Sequence, residues 1–326
     1  MKIMAAESTD AHEDGRIPSP NPRARPRVIC LGLSAFDITW VVQQLPSGGG
    51  KRRALDFREG GGGMAANAAV TAARLGADVQ FWGRAGQDSA GRSMREEMNG
   101  LGVDVSHFRL FEQARSSVSG IVVNAQGERM IVNFRGAGLP ADPDWLPLTT
   151  VAESNAVLAD PRWPEGALAL LKAARRAQIP TILDADMAES EVFDTLLPYT
   201  DYAVFSEPAL EEYAAHTADH QEQLLFARER GCVLAAMTLG ERGIAWDDGR
   251  GIRHLPSFQV DVVDTTGAGD VFHGALTFAL GAHMRARDAF RFSAAAAALK
   301  CMHPGGRSGT PDLAAVLSFL QKFKEW

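Results

Sequence analysis

Apolar residues along the chain fall into short continuous runs that alternate with helical stripes. Val28-Ile-Cys-Leu-Gly-Leu33 is one such run, the pattern of a strand buried on both faces. Val79-Gln-Phe-Trp82, Val157-Leu-Ala159, Thr181-Ile-Leu183, Ala203-Val-Phe205 and Val233-Leu-Ala-Ala-Met237 read the same way. Helical patterns separate them at 65–75, 90–101, 167–177 and 221–230, and others follow at 268–280, 286–300 and 313–323. Gly76 and Gly102 stand where the first two of these helices should stop. Strands spaced by helices of this length predict a parallel sheet covered on both faces.

Two segments break that rhythm. Residues 38–58 alternate around a turn at Pro46–Gly50, and 117–135 hold two β-rich runs about Asn124-Ala-Gln-Gly127, a hairpin pattern. Both suggest a small sheet set apart from the main body. The predicted architecture is a doubly wound, mostly parallel α/β sheet with helices on both faces and a small inserted β-sheet, spanning 27–326. Residues 1–26, polar and rich in Pro and Arg, read as a flexible tail without the apolar run of a signal peptide.

Composition narrows the class. With 46% hydrophobic and 22% charged residues over 326 positions, the chain has the make-up of an ordinary globular protein. Its 33 Lys and Arg against 40 Asp and Glu give a net charge of −7, which argues against a nucleic-acid partner. Cys30, Cys232 and Cys301 are scattered, as expected in a reducing cytoplasm rather than in a disulfide framework or thiolate metal site. No apolar run approaches the roughly 18 residues of a membrane helix, so no membrane partner is expected.

In open α/β sheets ligands sit beyond the carboxyl ends of the strands. Three turns there carry candidate chemistry. Asp264-Thr-Thr-Gly-Ala-Gly-Asp270 opens a helix, and Gly267, Ala268 and Gly269 are small enough for a ligand to approach their backbone. Their N–H groups would lie in a first helical turn, where unpaired donors and the dipole favour a phosphate. Asp270 could then accept a proton from an attacking hydroxyl. The same residues also fit a plain strand-to-helix turn with Asp270 as a first-turn acid. Gly60–Gly63 is followed by Asn67, on the same side as Gly63 at helical spacing. Close approach to a ligand and a flexible hinge both account for that run. Thr238-Leu-Gly-Glu-Arg-Gly243 follows a strand without the lysine of a Walker A motif or the spacing of a dinucleotide fingerprint. His273 reads as a helix packing residue.

Taken together these residues resemble the ribokinase-like (PfkB) sugar kinases. Gly60–Gly63 with Asn67 resembles the first signature of that family, and Asp264–Asp270 continuing Val-Phe-His-Gly-Ala275 resembles the second. The resemblance implies an ATP- and Mg²⁺-dependent kinase whose small sheet is a lid over the sugar, paired with that of a second copy in a homodimer. It implies Gly267, Ala268 and Gly269 as the anion hole and Asp270 as the base. Asp37, Gly62, Gly63 and Asn67 would hold sugar hydroxyls. Thr238, Gly240 and Gly243 would flank the ATP phosphates, and Lys300, His303, Gly305 and Ser308 would line the adenine pocket and a loop for a monovalent cation such as K⁺. Where the family often has Asn-x-x-Glu, this chain has Ser206-Glu-Pro-Ala209, which leaves Glu207 to reach the metal through water.

A finer resemblance concerns the acceptor. Gly50-Lys51, Gly127-Glu-Arg129, Val132-Asn133, Asp160-Pro-Arg162 and Ser206-Glu-Pro208 are similar to the branch that phosphorylates the C1 hydroxyl of 6-deoxy-6-sulfofructose. It implies Lys51, Asn133 and Arg162 as the sulfonate ligands; read without it, Lys51 and Arg162 are solvated surface charges. A kinase for fructose 6-phosphate, a ketodeoxygluconate or a neutral sugar is the nearest rival, and a non-catalytic sugar or nucleotide sensor is the rival from another class.

Overall fold

The computed structural model describes residues 25–323, so nearly all of the expected tail lies outside the described residues. The strands are β1 (Arg27–Gly32), β2 (Ala35–Val41), β3 (Asp56–Gly62), β4 (Asp78–Gly86), β5 (Val103–Asp104), β6 (Phe108–Phe111), β7 (Ser117–Val123), β8 (Arg129–Phe134), β9 (Ala156–Ala159), β10 (Thr181–Ala185), β11 (Tyr202–Ser206), β12 (Leu234–Thr238), β13 (Ile244–Asp247) and β14 (Ile252–Leu255). The helices are α1 (Met64–Arg74), α2 (Ser89–Gly100), α3 (Pro164–Arg176), α4 (Ser190–Leu196), α5 (Glu207–Tyr213), α6 (His220–Glu229), α7 (Ala268–Gly281), α8 (Ala286–Cys301) and α9 (Leu313–Gln321).

The main sheet runs β14-β13-β12-β11-β10-β9-β1-β4-β5, with β6 also paired to β4. Pairing is parallel from β12 across to β4, as the buried apolar runs predict, and antiparallel only at β12-β13-β14. Side chains alternate between its faces. Val28 and Cys30 enter a core shared with α1, α7 and α8, while Ile29 and Leu31 enter a second core under α3. Sequence periodicity passes over β13 and β14, which are short and form an edge hairpin, and over the seven-residue helices α4 and α5.

The second sheet, in order β3-β2-β7-β8, holds both segments that broke the α/β rhythm. It grows directly out of β1: three residues after that strand ends the chain enters β2, and β3 leads straight into α1.

Helices α1 and α7 cross at backbone contact. A Cβ added at Gly274 would lie 2.4 Å from the Ala68 carbonyl oxygen and 2.9 Å from its Cα. The alanine-rich face of α1, with Ala65, Ala68, Ala69 and Ala72 all inaccessible to solvent, permits this approach. Asn67 lies beside that crossing on α1, and Asp270 lies one turn before Gly274 on α7. We expect Gly274→Ala to force the helices apart and cost about 1–3 kcal/mol. Urea unfolding should show a lower midpoint at unchanged slope, whereas Gly100→Ala, in open space, should leave the midpoint unchanged or higher.

Candidate active site

The turn before α7 has the geometry its glycines suggested. Gly267 is the N-cap at φ +74°, a left-handed conformation that a β-carbon would strain. Nothing stands within 4 Å of where a Cβ on Gly269 would be, so the first turn of α7 faces open space. Asp270 follows, and one of its carboxylate oxygens accepts a 2.6 Å hydrogen bond from the Asn67 amide. Desolvation is the largest influence on this half-buried carboxyl and pushes its pKa up to about 6, reinforced by Asp186 and Asp160 and opposed by Asn67 and Arg307.

Arg307 ties the two glycine turns together. Its Nε donates to the Asn67 side-chain oxygen at 2.8 Å and its Nη2 to the Gly62 carbonyl at 3.2 Å, and its Nη1 lies 3.2 Å from Glu97. Glu97 in turn accepts from the Gly61 N–H at 2.6 Å. Gly61 and Gly62 are glycines for lack of room. A Cβ at Gly61 would fall 1.9 Å from the Arg307 guanidinium, and one at Gly62 would fall 2.1 Å from the Asp37 carboxylate. Gly63, at φ +96°, caps α1.

Asp37 belongs to a row that runs straight across the small sheet. It pairs with Gly60 on β3 and Ser119 on β7, and Ser119 pairs with Asn133 on β8. All four therefore share one face. The Asn133 amide reaches the Ser119 hydroxyl at 3.2 Å. Desolvation raises the Asp37 carboxyl, while Ser119 and Arg307 act against it.

Behind this row, Asp160 is fully buried at the end of β9 and accepts from the N–H groups of Leu33, Ala65 and Arg162. Gly32 makes room for it, since a Cβ there would sit 2.2 Å from the carboxylate. Asp184, at the end of β10, is buried with its Oδ2 unpartnered, and desolvation together with Asp270 holds its carboxyl well above the usual range. His273 lies 3.5 Å from that oxygen, with its two ring nitrogens 2.8 and 3.2 Å from the carbonyl oxygens of Gly269 and Val204. Burial lowers its pKa while the two carbonyls act against that, and the ring braces the first turn of α7. Arg162 is half-buried beside Asp160 and Asp184, and Lys51 is exposed on the loop between β2 and β3.

Beyond β12, Thr238 begins a turn in which Gly240 and Gly243 have φ of +57° and +95°. Arg242 of this turn binds both carboxylate oxygens of Glu207, which also lies 3.3 Å from His220. On the far side, His303, Gly305 and Ser308 belong to the loop after α8, and the Gly305 N–H donates to Asp264 at 2.8 Å. Lys300 is entirely enclosed beneath that loop. From the small sheet, Arg129 donates to the hydroxyls of Thr265 and Thr266, so the lid touches the phosphate turn itself.

Residues 25–313 match the model of the pfkB family carbohydrate kinases. The chain belongs to that family. It is 29% identical to the ribokinase of Bacillus subtilis over 296 residues, covering 87% of this chain and 96% of that one. The ribokinase of Haemophilus influenzae is 30% identical over 267 residues, covering 80% and 87%. A crystal structure of a candidate ribokinase from Agrobacterium tumefaciens superposes with a TM-score of 0.88 at 34% identity, covering 93% of this chain and all of that one. Arabidopsis thaliana ribokinase complexed with ribose and ATP gives 0.80 at 25%, covering 91% and 99%.

The protein is thus an ATP-dependent sugar kinase, and its groups fit that chemistry. ATP supplies the phosphoryl group and Mg²⁺ offsets its charge. The open first turn of α7 presents N–H groups of the kind that favour an anion, and the Asp270 carboxyl stands at its edge. Asn67, held by Arg307, orients Asp270 through its amide. Sequence patterns give Arg307, Asp160 and Arg129 no role of their own, because their partners lie 240, 127 and 136 residues away in the chain.

We expect Asp270 to act as the base, and Asp270→Asn keeps the shape while removing the carboxylate. Turnover should fall by about 10²–10⁴-fold. In the folded chain this carboxyl holds its proton more tightly than in the unfolded one. The ionised form therefore costs stability increasingly as pH rises from about 4 through about 6, and the Asn variant should melt no lower than the parent at pH 8. Parent turnover should decline about tenfold per unit below about pH 6, since protonated Asp270 cannot accept the hydroxyl proton.

Proposed function

We propose that this kinase transfers the γ-phosphoryl of ATP to the C1 hydroxyl of 6-deoxy-6-sulfofructose, giving the 1-phosphate and ADP, within the cytoplasmic breakdown of sulfoquinovose. The observation that carries the reading is the row Gly60, Asp37, Ser119 and Asn133. It sets an amide donor about two strand spacings, roughly 10 Å, from the carboxylate that would hold sugar hydroxyls. That is the span of a hexose-sized acceptor. Gly62, Gly63 and Asn67 would complete the hydroxyl contacts. Lys51 and Arg162 would supply charge to the sulfonate, for which a neutral sugar has no use.

On the nucleotide side, Thr238, Gly240 and Gly243 would flank the phosphates, and His303, Gly305 and Ser308 the adenine. For Mg²⁺ the chain offers Glu207, which would have to exchange Arg242 for metal-bound water. A monovalent cation near 300–308 meets a lysine already in place, a point taken up below.

The relatives carry the name ribokinase, so a neutral pentose is the reading to exclude. ADP release should be measured with sulfofructose, ribose, fructose, fructose 6-phosphate and ketodeoxygluconate. A kcat/KM for sulfofructose at least a hundredfold above the others is expected, about 2.7 kcal/mol of discrimination. Lys51→Ala or Arg162→Ala should raise KM for sulfofructose at least tenfold and barely change that for a neutral sugar. Preference for ribose, or equal losses on both sugars, sinks the sulfonate assignment.

We further propose a homodimer through the lid. Opposite the Asp37 row, the same sheet presents Trp40, Phe57, Met130, Val132 and Phe134 on one exposed face, with Val132 at 69%. Sedimentation at micromolar concentration should give a dimer, and Val132→Lys a monomer.

A further inference from the structure

Lys300 is a charged side chain with no access to solvent at all. Burying an ammonium is expensive unless its hydrogens are satisfied, so its partners show what it is for. Its Nζ donates to the main-chain carbonyl of Asp264 at 2.7 Å and lies 3.4 Å from that of His303. The nearest carboxylate oxygen, on Asp264, is 4.0 Å away. That carboxylate is engaged elsewhere, accepting 2.8 Å hydrogen bonds from the N–H groups of Thr266 and Gly305. Lys300 is therefore not one half of a tight ion pair. It is a cation held by main-chain carbonyl oxygens, close to one and within reach of a second, the kind of donor that hard cations take.

The carbonyls it joins are informative. Asp264 opens the turn that ends in Asp270, and His303 opens the loop that carries Gly305 and Arg307. The N–H groups of Val263 and Asp264 both donate to the Cys301 carbonyl at the end of α8. Both segments converge on the C-terminal end of one helix, where the dipole also favours a positive charge. Gly309 completes the enclosure: a Cβ there would lie 3.5 Å from the Lys300 side chain.

We infer that Lys300 is a positioning residue whose tethered ammonium takes the place of a bound monovalent metal ion, locking the phosphate turn and making turnover independent of K⁺. A covalently held cation cannot dissociate, so the turn keeps its geometry at any salt composition. The inference rests on the reading of Gly267–Asp270 as the phosphoryl-transfer turn.

The test is a cation series at constant ionic strength. Parent turnover on whichever panel sugar is accepted should agree within twofold in tetramethylammonium, Na⁺ and K⁺ chloride. Lys300→Ala, which empties the ammonium position, should lose at least tenfold in kcat with sugar KM changed less than threefold. Ammonium or methylammonium at about 100 mM should recover a substantial part of that loss. Lys300→Met, which fills the space with an apolar chain, should lose as much and show no recovery. Affinity for a non-hydrolysable ATP analogue, read by calorimetry without sugar, should fall in both variants and recover with ammonium only in the first. A parent that gains tenfold or more from K⁺, or a Lys300→Met enzyme of normal kcat and analogue affinity, overturns the inference. Should no sugar be accepted, the kinase reading fails by itself, and the calorimetric arm still decides the role of Lys300. Should neither variant fold, the parent cation series decides it.

Discussion

The contact between α1 and α7 is what the site depends on. Asn67 and Asp270 come from opposite ends of the chain, 203 residues apart, and meet at 2.6 Å because a glycine on one helix sits on an alanine backbone of the other. An ordinary helix pair keeps its axes 8–10 Å apart according to the side chains at the contact. Small residues on both faces remove that spacer. The glycine turn that leads into α1 and the one that leads into α7 are thereby fixed relative to one another by rigid helices rather than by loops. A shift of an ångström between them would break the Asn67–Asp270 hydrogen bond, and misplacement on that scale between reacting groups costs orders of magnitude in rate.

Charge sets the second constraint. Asp160, Asp184, Asp186 and Asp270 gather at the strand ends, and the nearest cations are Arg162 and Arg307. Desolvation raises Asp160, Asp184 and Asp270, yet their surroundings differ. Asp160 spends its hydrogen-bonding capacity on three backbone N–H groups and so pins β1, α1 and β9 at their junction. Asp184 accepts nothing at Oδ2, which lies 3.5 Å from His273. Asp270 is left with one amide partner and an approach from solvent, the surroundings in which a carboxylate can accept a proton. Identical side chains thus diverge in role through their surroundings alone.

Much of this was legible in the sequence, and the rest was hidden for identifiable reasons. The turn before α7 could be read because its shape is carried by consecutive small residues in a fixed local order. The parallel strands could be read because burial on both faces leaves continuous apolar runs. Arg307 could not, since its three partners come from β3, α1 and α2 and no local pattern joins them. By resemblance Lys300 is expected to line the adenine pocket or a cation loop, and a lysine near a helix end ordinarily reads as a solvated or dipole-stabilising charge. Only the fold shows it enclosed. The edge hairpin of β13 and β14 was missed because four-residue strands bounded by glycines give too short a pattern to read.

The small sheet shows how one local pattern can serve two ends. Strand side chains alternate, so a ribbon of four strands must present two different faces. On one face the cross-strand row holds Asp37, Ser119 and Asn133, polar groups that gain strength when water is excluded. The other carries Trp40, Phe57, Met130 and Val132, apolar groups that lose nothing by being covered. A one-residue slip in register would exchange the two sets and destroy both uses at once. Register is therefore held at the ends as well as along the ladder. Gly63 and α1 anchor the β3 side, and Arg129 fastens the start of β8 to Thr265 and Thr266 on the phosphate turn. The polar face is aligned by the same contacts that tie the small sheet to the turn before α7, so the register of the sheet and the position of that turn are set together.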